Sequence, residues 1–145
     1  MINKLVKVIA FILCIQALPG QIGTWMVSNR NHPELEWKTI STKQFSIHYH
    51  NGLEETAIKS ARVAEHVMPT LMQQMNLDTI PKIDITLTNE DEFENGFAIR
   101  LTYQVFIWVE QNDMLLWLEK DKWLETVIAH ELQHVLYFEK TKTWL

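Results

Sequence analysis

The chain has 145 residues, 47% of them apolar and 21% charged, with a formal net charge of -5. That length supports one domain with a modest core, and the ordinary globular composition excludes wholesale disorder. The mildly acidic balance, with no block of like charges, excludes a nucleic-acid groove or an anionic membrane surface as the main partner.

Residues 1–20, MINKLVKVIAFILCIQALPG, have the layout of a secretory signal. Lys4 and Lys7 give the positive start, an apolar run follows, and Pro19-Gly20 breaks it near small residues. The run of roughly 11 apolar residues is short against the about 20 that a bilayer span needs. A signal peptide cut between residues 20 and 23 is therefore expected, with the mature protein exported to the periplasm or the extracellular space. The competing reading keeps residues 5–18 as a membrane anchor, and only then is the membrane a partner. Cys14 is the one cysteine, so no internal disulfide forms and the mature chain carries none.

Residues 21–43 are rich in Asn, Ser, Thr and Gln, include His32-Pro33, and read as an irregular lead-in to a domain over 44–145. FSIHYH (45–50) alternates, with Phe45, Ile47 and Tyr49 on one face and Ser46, His48 and His50 on the other, as a half-buried strand does. Asn51-Gly52 ends it in a turn. Ala57, Ala61, Ala64, Met68, Leu71 and Met75 recur at threes and fours, which predicts an amphipathic helix over 53–75 that Pro69 kinks or divides. KIDITLTN (82–89) alternates as a second strand. The acidic loop NEDEFENG follows as a solvated segment, and QVFIWVE (104–110) has the densest β-branched and aromatic content. Asp121 is placed to cap a last helix from Lys122 to about Lys140. The fold class expected from this order is α+β: a small mixed sheet, a long amphipathic helix and a terminal helix.

That terminal helix carries His130-Glu131-Leu132-Gln133-His134, the H-E-x-x-H pattern of zinc peptidases. Residues four apart on a helix lie one above the other, so His130 and His134 can turn their imidazoles to one Zn2+ ion. Glu131, about 100° around the axis from His130, can reach a water at that ion without ligating it. The pair could also merely decorate a helix surface. The apolar neighbours Leu124, Ile128, Leu132, Val135 and Leu136 argue for a largely buried helix instead, in which both histidines need a partner.

Beyond this motif the chain, from about Trp37 to Trp144, resembles the peptidase MA-type gluzincin domain that precedes TolB-like β-propellers in exported bacterial proteins. FSIHYH, ITLTNEDEFENGFA with its Asn95-Gly96 turn, QVFIWVE, Trp117-Leu118 or Trp123-Leu124, and VIAHELQHVLYFEK carry the likeness in order. The resemblance implies a zincin-type active-site helix, Zn2+ as cofactor, His130 and His134 as metal ligands and Glu131 as catalytic base. It implies a third ligand from a W-x-x-E-G-x-A-x-Y-x-E-like segment, which this sequence does not contain. The chain is accordingly expected to be the N-terminal part of such a domain, cut before the third ligand and before any propeller. Glu139, roughly 140° around the helix from His134, cannot converge on the same ion, and Glu125 fails likewise. His48 and His50 form an H-x-H on one strand face, a spacing that chelates metal in other folds, but here they are expected to face solvent; His32 and His66 have no supporting pattern.

The function expected is a zinc metallopeptidase acting on a peptide or protein substrate. The 104–110 strand either pairs with that substrate at the sheet edge or is plain sheet core. The alternative is a non-catalytic exported remnant or interaction module whose metal site is not closed.

Overall fold

The computed structural model describes residue 32 and residues 34–90, 95–99, 101–109 and 120–142. The expected signal segment with Cys14, lead-in residues 21–31, loop residues 91–94, Glu110, Trp117-Leu118 and Trp144 lie outside the described residues. Contacts divide the chain into two units, Met1–Glu34 and Leu35–Leu145. In the first, the His32 ring and the Glu34 carboxylate pair at 2.9 Å. All the described strands and helices belong to the second. Among the described residues no helix is long and apolar enough to cross a membrane.

The fold is α+β, as expected: β1 (Trp37–Ser41), β2 (Phe45–His50), α1 (Glu54–Met75), β3 (Ile83–Thr88), β4 (Asn95–Ile99), β5 (Gln104–Trp108) and α2 (Lys120–Thr141). The five strands form one mixed sheet in the order β1-β2-β3-β5-β4. β2, β3 and β5 run parallel, while β1 and β4 flank them antiparallel. α1 supplies the long crossover that a parallel β2–β3 pair requires.

Register fixes which side chains share a face. Phe45 pairs with Ile83, Ile47 with Ile85, and Ile85 with Val105. With Tyr49, Leu87 and Ile107 these fill one side of the sheet and are buried, as the alternation in the sequence requires. Ala57, Ala61, Ala64, Met68 and Leu71 of α1 join them in one core with Leu124, Ile128, Leu132, Val135 and Leu136 of α2. Each large aliphatic side chain fully buried there contributes about 1.5–3 kcal/mol. The opposite face carries Ser46, His48 and His50 beside Asp84 and Thr86, and an aromatic stack of Phe97 on Phe106 and Trp108.

Several elements differ from those expected from the sequence. Part of the expected irregular lead-in is β1, whose WKTIS alternates exposed and half-buried and becomes a strand by pairing with β2. Asn95-Gly96 does not form a turn but opens β4, held by β5 from Asn95↔Trp108 to Ile99↔Gln104. Pro69 does not divide α1, which runs unbroken for 22 residues. It lies on the exposed side, where the carbonyl one turn back can be hydrated. Asn76 then ends α1 in the left-handed conformation, its N–H returning to Gln73 O. Asp121 is no cap, because α2 already includes Lys120. β5 is not an edge strand: β3 and β4 hydrogen-bond to its two sides, so of the two roles open for it the sheet core holds. Among the described residues the margins of the sheet are β1 and β4.

Candidate metal centre

His130 and His134 both project from the exposed side of α2. Their Nε2 atoms lie 3.1 Å apart, close enough for one ring N–H to donate to the lone pair of the other. The rings are nearly perpendicular, with centroids 4.7 Å apart, and Phe138 stacks on the outer side of His134 at 6.2 Å. The expectation that these histidines are buried is not met. The helix spends its apolar side, Leu124, Ile128, Leu132, Val135 and Leu136, on the core, which leaves the 130/134 side to solvent. A buried polar group in search of a partner is therefore no argument for metal here.

The two ring nitrogens do converge. A Zn–N bond is about 2.0–2.1 Å, so two such bonds at a tetrahedral angle place their nitrogens roughly 3.3 Å apart. The observed 3.1 Å fits a single ion held by both rings. Among the described residues, no group of three or more His, Cys, Asp or Glu side chains gathers in a way that could hold a metal ion.

Glu131 sits differently. It is 4% exposed, turned beneath the histidines toward β4. Burial raises its carboxyl above the ordinary carboxylate range, and the charges of His130 and His134 partly oppose the rise. Gly96 makes the approach possible. A Cβ added there would meet Val127 Cγ2 at 2.7 Å and Glu131 Cγ and Oε1 at 3.0 Å. The room for this approach is a missing methyl: α2 presses on β4 only because β4 carries hydrogen at this position. Gly96 is thus a packing glycine within β4 and not the turn glycine expected from the sequence.

Other candidates separate from the pair. Glu139 accepts a hydrogen bond from Tyr103 Oη at 2.6 Å and pairs with Lys142, which agrees with its exclusion as a ligand. Those two donors hold its carboxyl below the ordinary value, although burial alone would push it up. Glu125 lines shallow cavities, one of about 410 Å³ with His130 and Gln133, and one of about 490 Å³ with His66 and Arg62. His48 and His50 stand on the sheet face opposite the helices, so neither can join His130 and His134. His48 is half-buried, with its ring bonded to Thr39 Oγ1 at 2.9 Å. His50 contradicts the expectation of a solvent-facing ring, being 3% exposed. It is the end of β2 and packs edge to face with its cross-strand partner Trp37 at 5.5 Å.

Compared with family models and with curated proteins, the chain matches none, so the likeness to gluzincin peptidases rests on its own residues.

Proposed function

We propose that this chain is a zinc-dependent metallopeptidase domain of an exported protein, with His130 and His134 holding the metal and Glu131 as the general base. The single observation that supports it is the pairing of two converging Nε2 atoms with a buried carboxylate one residue away. Zinc held by the two imidazoles supplies Lewis acidity and lowers the pKa of water. Glu131, raised by its burial, is a better proton acceptor than an exposed glutamate. It takes the proton of the attacking water and delivers it to the leaving amine. β4, at the margin of the sheet, offers its outer backbone groups to an extended peptide as an added strand. Gly96 brings that strand within van der Waals reach of Glu131, so a peptide bound there passes beside the base.

The second reading, a non-catalytic module with an unclosed site, draws on one observation: no third ligand stands with the pair among the described residues. One experiment separates the two. Zinc binding and cleavage of an unstructured protein substrate are measured for the full chain, for Glu131→Gln and for His134→Ala. The peptidase reading expects Glu131→Gln to keep the zinc and lose about 10²–10⁴-fold in rate. Zinc held at the pair without any hydrolysis supports the module. A folded protein whose zinc content is indifferent to His134→Ala ends both.

A further inference from the structure

A second group of electron-pair donors lies on the other face of the sheet, outside the carboxyl ends of the parallel strands β2 and β3. Ligands of open parallel sheets collect at such ends. His50 closes β2, and Glu90 follows β3 two residues after Thr88. The His50 ring is buried and fixed. Its Nδ1 lies 3.1 Å from the carbonyl oxygen of Asn51, and a carbonyl can only accept, so Nδ1 carries the proton. A ring that carries only that proton keeps a lone pair on Nε2. That nitrogen is buried and makes no hydrogen bond. Glu90 Oε1 lies 3.9 Å from it. Asn89 Oδ1, in the residue before Glu90, is likewise buried without a partner.

The imidazole lone pair and the carboxylate are both acceptors. A direct charged hydrogen bond would close to about 2.7–2.9 Å, and 3.9 Å is outside hydrogen-bond range. The gap suits an ion instead. Bonds of about 2.0–2.1 Å to nitrogen and 2.0–2.2 Å to oxygen at a tetrahedral angle place the two donors roughly 3.4 Å apart, so Glu90 must close by about half an ångström. Glu90, whose side chain is 39% exposed, has room to move closer. A ring that donates Nδ1–H to a backbone carbonyl and keeps Nε2 for the ion is also how metal-bound histidines are oriented.

We propose that His50 and Glu90 form a second binding site for a divalent transition cation. It is independent of His130 and His134, which stand on the opposite side of the sheet. The mixed nitrogen and oxygen donors suit Zn2+ or Co2+ better than Ca2+ or Mg2+.

The test titrates Co2+, then Zn2+, into the full chain carrying His130→Ala and His134→Ala. One cation per chain is expected to remain bound, with Co2+ giving visible absorption. Adding Glu90→Gln should weaken that binding at least tenfold, and adding His50→Gln should abolish it. Glu90 is the safer variant, because its exposed side chain makes no contribution to the core. Loss of all stoichiometric binding in the double histidine variant overturns the proposal, as does residual binding that Glu90→Gln leaves unchanged. Nitrogen NMR of the metal-free protein gives a separate check: the Nδ1–H tautomer of His50 is expected, and an Nε2–H tautomer refutes it.

Discussion

Replacing Gly96 by alanine tests the contact on which the base's position depends. The added methyl would stand 2.7 Å from Val127 Cγ2 and 3.0 Å from Glu131 Cγ and Oε1. Carbon atoms pack comfortably at about 3.5–4.0 Å, so the neighbours must retreat by roughly an ångström. Overpacking of this kind costs about 1–3 kcal/mol. Gly96 has no left-handed backbone requirement, so alanine also removes unfolded-state freedom, worth about 0.4–1 kcal/mol in the opposite direction. The net expectation is a loss of about 1–2 kcal/mol, read as a lower urea midpoint with an unchanged m-value. Val127→Ala removes the closest atom. The double variant should therefore lose less than the sum of the single variants, with a coupling of at least about 0.5 kcal/mol. A neutral or stabilising Gly96→Ala, or strict additivity with Val127→Ala, would refute the account of why α2 lies so near β4.

Three further outcomes follow from other contacts. Tyr103→Phe removes the donor to Glu139 and should cost about 1–2 kcal/mol at neutral pH. Because Glu139 is held below its ordinary value of 4.5, its contribution is present above that pH and is lost as pH falls through the lower folded value. Urea unfolding at pH 7 and pH 3 should show the Tyr103→Phe penalty shrinking in acid, and a constant penalty contradicts the assignment. Ser60→Ala replaces a fully buried hydroxyl that makes no hydrogen bond, in the middle of α1. A gain of about 1–2 kcal/mol is expected from relief of that group and from helix propensity, and thermal unfolding showing a loss refutes it. His134→Ala should change metal-free stability by less than about 0.5 kcal/mol, since the ring is exposed, while zinc bound per chain, measured by atomic absorption, falls by one. A large loss of metal-free stability would mean the ring is a packing element.

The elements that alternate or repeat locally could be read without coordinates. Phe45, Ile47, Tyr49, Ile83, Ile85 and Leu87 are buried as their period of two requires, and Ala57, Ala61, Ala64, Met68 and Leu71 as theirs of three and four. The helical pair at 130 and 134 was equally plain, because one turn of helix is itself the geometry. What escaped depends on partners distant in sequence. WKTIS and NGFAI are only five residues each and become strands by pairing with β2 and β5. Whether QVFIWVE is central or marginal is decided by β4, which the reading had taken for loop and turn. His50 shows the same limit. Alternation assigned it to the right face, yet its burial arises where strand ends and the Trp37 ring meet.

α2 is fastened to the β4–β5 hairpin at two points. Val127 and Glu131 rest on Gly96 at one, and Glu139 grips Tyr103 at the other, roughly 12 Å further along the helix axis. A body clamped twice along its length can neither pivot nor slide on its seat without undoing a clamp. The gap between the carboxylate and the sheet margin is therefore set when the chain folds, and any opening or closing that accompanies ligand exchange must be carried by other parts of the protein.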